Sequence, residues 1–217
     1  MSLKKYSLLS IFCYGLVFVS PVLLRITGIV TSSTGLISAM TITYLLGAVL
    51  LLFLYFKQKE PLTIEADVPK ASVPEIILLG LGGILIAIFL QGAAVGIETF
   101  LFGQSAPSEN TQNIIQMILK APAFILATTI GGPIMEELVF RRSILGLVSH
   151  YSNFWVGAVI SSLLFAVAHA DGHLLVYFFL GFFFSLLYKS TGRIWTSMIT
   201  HVGMNTLVIV VQLLIQK

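Results

Sequence analysis

Charge is what this chain has least of. Of its 217 residues, 10% are Asp, Glu, Lys or Arg, where soluble globular domains average about 25%. With 57% hydrophobic residues and a mean hydropathy of +1.00, the composition argues against a soluble domain and for a polytopic membrane protein. The single cysteine, Cys13, rules out an intrachain disulfide. It lies in an apolar run without an acid or base nearby and reads as a buried small side chain, not a nucleophile. HExxH is missing, so the usual helical two-histidine zinc arrangement is not available. A GxSxG nucleophile elbow is missing too. Asp171 is the only aspartate in the second half, which excludes a two-aspartate intramembrane protease. "GLGG" at 80–83 lacks the Lys-Ser/Thr of a P-loop and reads as close helix packing. The formal charge of +3 and pI near 9.0 fit cytoplasmic loops. No Arg/Lys stripe with interleaved aromatics points to nucleic acid.

What is present is a series of long apolar runs. A span needs about 20 mostly apolar residues. Runs near 7–30, 35–56, 74–97, 113–131 continuing to about 148, 154–170, 174–189 and 194–215 predict an all-α bundle of about seven spans. The first run, after Lys4 and Lys5, is taken as a retained span, not a signal peptide. The run from 113 to 148 is longer than a bilayer is thick, and "GGP" at 131–133 is the expected kink or break. Lys4, Lys5, Lys57, Lys59, Lys70, Lys189 and Arg193 put the N-terminus, the 57–73 loop and the 189–193 turn in the cytoplasm, and the C-terminus with Lys217 outside. Arg141 and Arg142, which follow the fourth run, are counted with these. Two parts follow. Residues 1–112 are N-terminal transmembrane helices whose charges sit in loops, apart from Arg25. Residues 113–217 carry ionisable groups inside apolar segments, where such groups are costly and functional by default.

Those groups form three clusters. In "GGPIMEELVFRRSIL", Glu137 and Arg141 are one helical turn apart, in the favourable order for an ion pair. Glu136 is rotated about 100° away and has no such local partner. Arg142 is expected to meet phospholipid headgroups or the cytoplasm. In "FAVAHADGH", Phe165 and His169 share a helix face, while Asp171 and His173 read as turn and interface residues. In "THVGMNTL", His201 and Asn205 share a face well inside the last apolar segment. His150 reads as a plain loop residue. Taken singly, His169 is an interface histidine and the His201/Asn205 pair a hydrogen-bonded helix contact. Taken together, an unpartnered carboxylate, two histidines and an amide suit attack of water on a peptide bond. Glu136 can take the proton, His169 can orient the water, and His201 with Asn205 can donate to the oxyanion. The same Glu136, His169 and His201 could instead bind a divalent metal such as zinc.

With these residues the chain resembles the CAAX protease and bacteriocin-processing (CPBP, or Abi) family of intramembrane proteases, which includes the type 2 CAAX prenyl endopeptidases. The family pattern is EExxxR, FxxxH and HxxxN, and here it reads Glu136-Glu137-xxx-Arg141, Phe165-xxx-His169 and His201-xxx-Asn205. The match covers about 113–217. Arg142 departs from it, since many members carry glycine there. The resemblance implies an all-helical fold with a site between helices. It implies Glu136, His169, His201 and Asn205 as catalytic residues, with Glu137, Arg141 and Phe165 supporting them. The metal-independent glutamate mechanism is favoured, so no cofactor is expected. The expected partners are the lipid bilayer and a peptide or small membrane-associated protein substrate, with no nucleic acid. The expected location is a prokaryotic plasma membrane, multi-pass. The competing readings are a non-catalytic immunity or scaffold protein and a small proton-coupled transporter. One geometric conflict stands. His169 falls near the outer end of its span, and His201 about 10 Å from the inner end of its own. They can meet only if the fifth span is short, displaced or tilted.

Overall fold

Several of the helices begin at a small polar residue that accepts from the first free backbone N–H groups, the usual way a helix start is satisfied. Ser2 accepts from Lys5 N, Ser32 from Gly35 N, Ser108 from Thr111 N and Asn153 from Val156 N. Ser72 and Glu75 form a capping box. The computed structural model describes residues 1–66, 68–103 and 108–215. Among them the chain is all helical. It runs as α1 (Leu3–Ile26), α2 (Ser33–Lys57), the short α3 (Thr63–Ala66), α4 (Val73–Phe102), α5 (Glu109–Lys120), a composite helix over 124–151, α9 (Phe154–His169), α10 (Leu174–Thr191) and α11 (Ile194–Ile215). Five helices (α1, α2, α4, α10 and α11) are long and apolar enough to cross a membrane. α9 has 16 residues, about 24 Å at 1.5 Å per residue, short of the roughly 30 Å hydrocarbon core.

The composite helix joins α6 (Phe124–Leu126), a wide i→i−5 segment (Ala127–Gly131), α7 (Gly132–Glu136), a second wide segment (Glu137–Leu145) and α8 (Gly146–Tyr151). The expected break at "GGP" is therefore corrected. Gly131 and Gly132 are helical, and the break lies earlier, where Ala121 is extended (φ −145°, ψ 89°) before Pro122. The residue before a proline avoids the helical region, although Gly132, which has no Cβ to clash, stays helical before Pro133. Gly131 serves closeness instead, since a Cβ there would lie 3.3 Å from the Tyr44 carbonyl of α2. Wide turns of this kind gather at functional sites, and here they flank Glu136. The packing expected of "GLGG" is present, with Thr200 Oγ1 donating to Gly80 O at 2.9 Å.

The basic loops gather at one end, as the positive-inside reading requires. Ala71 N donates to Thr191 O, joining the 57–73 loop to the α10–α11 turn. Lys59, Lys70 and Arg193 border one cavity there. Lys217 lies outside the described residues. Several expectations about single residues change. Arg142 is 4% exposed, not at the headgroups. It is ion-paired to Glu65 of α3 and lies over the rings of Tyr55 (4.5 Å) and Tyr6 (5.6 Å). Arg141 is fully buried, so neither arginine is a loop charge. Glu65 and Glu98 are buried as well. The first 112 residues thus do not keep their charges in loops. Cys13 is only half-buried. His150 is exposed in the last turn of α8.

Candidate active site

The end of α7 and the start of the second wide segment bring the two glutamates to one histidine of α11. Glu137 Oε1 lies 2.9 Å from His201 Nδ1, and Glu136 Oε2 lies 3.5 Å from Nε2. Glu136 therefore has a partner, against the sequence reading, because that partner comes from another helix. The environments of the two carboxylates differ. Glu137 is fully buried and shares Oε1 with Arg141 Nη1 at 3.3 Å, the predicted i,i+4 pair. Glu136 keeps 18% of its side chain accessible. Of the two, only Glu136 has room for water.

Arg141 is an unusual buried cation. Among the described residues its guanidinium nitrogens make no hydrogen bond. Its charge is met by Glu137 and by aromatic faces, with Phe165 at 4.1 Å, Phe184 at 5.2 Å and Phe140 at 5.9 Å. Phe165 thus has a defined supporting place. Its ring lies 4.5 Å from His169 and 5.9 Å from His201, and its carbonyl accepts from His169 Nδ1 at 2.8 Å. The conflict over depth is resolved by the short α9. Ending early, it leaves His169 within the bundle, next to the ring that also touches His201.

His169, His201 and Asn205 line one cavity of about 300 Å³, and Glu136 stands behind His201 Nε2. The cavity floor is apolar (Val176, Leu180, Met204), and side-chain amides such as Gln91 and Gln212 also border it. Asn205 Nδ2 reaches the Thr128 carbonyl of the first wide segment at 3.5 Å, a long bond that a substrate oxygen can readily replace.

Several members of the site were not readable in the sequence. Tyr177 stacks on His169 with centroids 3.8 Å apart, and its hydroxyl donates to Asp171 at 2.8 Å. Asp171 also accepts from Ser108, at 2.6 Å. Asp171 is thus more than a turn residue, because it ties the start of α5 to the histidine-bearing end of α9. His173 is buried against Glu98, at 2.7 Å, and Glu98 also accepts from Leu175 N at the start of α10. Phe184 stacks on His201 with centroids 4.7 Å apart. Tyr177 and Phe184 sit in a uniformly apolar run, where periodicity gives no phase. Among the described residues, no three His, Cys, Asp or Glu side chains are placed to hold a metal ion. His169 turns its Nδ1 to a backbone carbonyl, which leaves Nε2 as the ring nitrogen open to a ligand.

Gly181 makes room for the buried cation. A Cβ there would lie 3.2 Å from Arg141 Nη2, 3.2 Å from Ser162 Cα and 3.3 Å from the Phe165 ring. Gly181→Val should lower stability by about 1–3 kcal/mol through overpacking. Gly82→Val, where an added Cβ meets nothing within 4 Å, should show no such packing loss. Thermal unfolding in mild detergent measures both, and equal midpoints would remove the steric role of Gly181.

A family model described as type II CAAX prenyl endopeptidase Rce1-like matches residues 118–207, the stretch that holds all seven candidate residues. YdiL of Bacillus subtilis (strain 168), named as a membrane peptidase, is 43% identical over 145 residues, which is 66% of this chain and 59% of YdiL. The membrane-embedded CAAX protease MroQ of Staphylococcus aureus (strain USA300) is 33% identical over 182 residues, which is 80% of this chain and 72% of MroQ. The match thus spans less than two thirds of YdiL. No solved structure matches the chain. Bacterial membrane relatives and five helices of spanning length make this a multi-pass cell-membrane protein. With one relative matched at this identity over most of both chains, and with the three motifs inside the matched stretch, the chain belongs to the Rce1-like family of type II CAAX prenyl endopeptidases.

Proposed function

We infer that this chain is an intramembrane endopeptidase that hydrolyses a peptide bond of a membrane-associated protein or peptide, with Glu136 as the base. The observation that carries this reading is His201 held between two unequal carboxylates, Glu137 fully buried and Glu136 partly accessible. Water oriented by His169 loses a proton to Glu136 as its oxygen bonds to the carbonyl carbon. The carbonyl oxygen becomes an oxyanion and receives hydrogen bonds from His201 and Asn205. When the tetrahedral intermediate collapses, the C–N bond breaks and the Glu136 proton passes to the leaving nitrogen.

The contacts around His201 link these events. Glu137 accepts from Nδ1 and fixes the ring. Donation from Nε2 as well requires His201 as an imidazolium, whose Nε2–H faces Glu136 while that carboxylate is charged. Once Glu136 is protonated, Nε2–H loses its anionic partner at the moment a new anion forms on the substrate. The apolar floor of the cavity suits an apolar segment of the substrate beside the scissile bond.

The test is cleavage of quenched CAAX-type and leader-peptide libraries by purified protein, with and without a strong chelator and with Glu136→Ala as control. Cleavage that survives chelation and is lost in Glu136→Ala is expected. Full activity in that variant would remove Glu136 as the base. Cleavage lost on chelation and restored by zinc would replace the glutamate mechanism with a metal-dependent one.

A further inference from the structure

A second cavity, of about 450 Å³, lies at the basic end of the bundle and shares no residue with the first. Lys59, Lys70, Arg142 and Arg193 border it, against Glu60 and Glu65. Glu65 is already engaged by Arg142 and Tyr188. Among the described residues, Lys59, Lys70 and Arg193 have no acidic partner.

The polar groups of this cavity are left open. Gln58 also borders it and is 7% exposed, yet neither its side-chain nitrogen nor its oxygen has a hydrogen-bond partner among the described residues. Arg142 Nε and Arg193 Nε are buried without a partner too. Buried polar groups are seldom left so in a folded protein. Three cations that form no ion pair among the described residues outnumber Glu60, the one bordering carboxylate not already engaged, and with an open amide and two open guanidinium N–H groups they form a donor-rich cradle suited to an anion with several oxygens.

The rim of the cavity indicates which anion. Trp195 packs edge-on to Tyr55 at 5.7 Å and lies against Phe56 at 6.3 Å, and all three border the cavity. Trp and Tyr are enriched at headgroup depth. This is also the end that the basic loops place in the cytoplasm, where basic pockets between helices meet anionic lipid. A phosphate attached to acyl chains fits such a position, with its oxygens among the cations and its chains along the exposed apolar sides of the helices.

We propose that this cavity binds the phosphodiester headgroup of an anionic phospholipid, with Lys59, Lys70 and Arg193 neutralising the phosphate and the Gln58 amide donating to one of its oxygens. The site is separate from the candidate active site and does not depend on any catalytic role.

Delipidated protein in detergent would be titrated by calorimetry with short-chain phosphatidylglycerol, short-chain phosphatidylcholine and inorganic phosphate. Saturable binding of phosphatidylglycerol alone is expected, and it should weaken as salt rises. The exposed pair Lys59→Ala/Lys70→Ala should bind about tenfold or more weakly. Gln58→Leu should lose several-fold without any change in charge. Lys4→Ala/Lys5→Ala, an equal change in charge away from the cavity, should keep wild-type affinity. Equal binding of the two lipids would overturn the proposal. So would equal losses in the two lysine pairs, because general surface charge would then explain the binding. Inorganic phosphate binding as tightly as phosphatidylglycerol would make this a site for soluble phosphate and defeat the lipid assignment.

Discussion

Arg141→Ala should destabilise the protein by about 3–5 kcal/mol, because it leaves the Glu137 carboxylate buried without its cation. Both side chains of the pair are 0% exposed, so water does not screen the loss. The substitution also empties the space faced by Phe140, Phe165 and Phe184. Arg141→Lys should recover only part of the stability, since a compact ammonium does not spread against several ring faces as a planar guanidinium does. Arg141→Met combined with Glu137→Gln should be more stable than Arg141→Ala, because it removes both charges and keeps most of the volume. Thermal unfolding in detergent, with the amount of protein inserted in membranes, measures the series. Arg141→Ala unfolding with wild type would show that the pair contributes nothing to stability.

Glu136→Gln and Glu137→Gln should fail in different ways although the residues are adjacent. Glu136→Gln keeps the shape of a partly accessible side chain whose contact to His201 is a long 3.5 Å, and should unfold within about 1 kcal/mol of wild type. Its turnover should fall by about 100- to 10,000-fold, the usual contribution of a positioned base. Glu137→Gln removes the charge that faces Arg141 and His201 in a fully buried setting. It should lose several kcal/mol of stability, and its activity should fall along with its folded fraction. Adding Arg141→Met to Glu137→Gln should restore stability. Turnover and unfolding measured on the same preparations separate the two roles. A stable, inactive Glu137→Gln beside an active Glu136→Gln would exchange the assignments.

Six of the seven candidate residues were legible because ionisable and amide groups stand out in apolar runs, and Phe165 because it stands one helical turn from His169 in the family's FxxxH pattern. The Glu137–Arg141 pair is a local i,i+4 contact, so spacing alone predicted it, and the structure has it at 3.3 Å. The helix boundaries were largely legible too, since each span ends where polar and capping residues begin. Contacts between distant parts of the chain were not. Glu65 and Glu98 looked like loop charges because their partners, Arg142 and His173, are 77 and 75 residues away. The wide turns around Glu136 have no composition of their own, and "GGP" suggested a break that the chain makes at Ala121. Tyr177, Gly181 and Phe184 lie in an unbroken apolar helix, where no polar face marks which side meets His169, Arg141 and His201. The sequence by itself determined a membrane bundle, its main helices and a short set of reactive groups, since these depend on hydropathy and local spacing. Only the tertiary structure decided that both glutamates meet His201, that Glu136 is the one left open to water, and how the short α9 brings His169 to the depth of His201. Those outcomes depend on helices packed in three dimensions, which one chain's pattern does not encode.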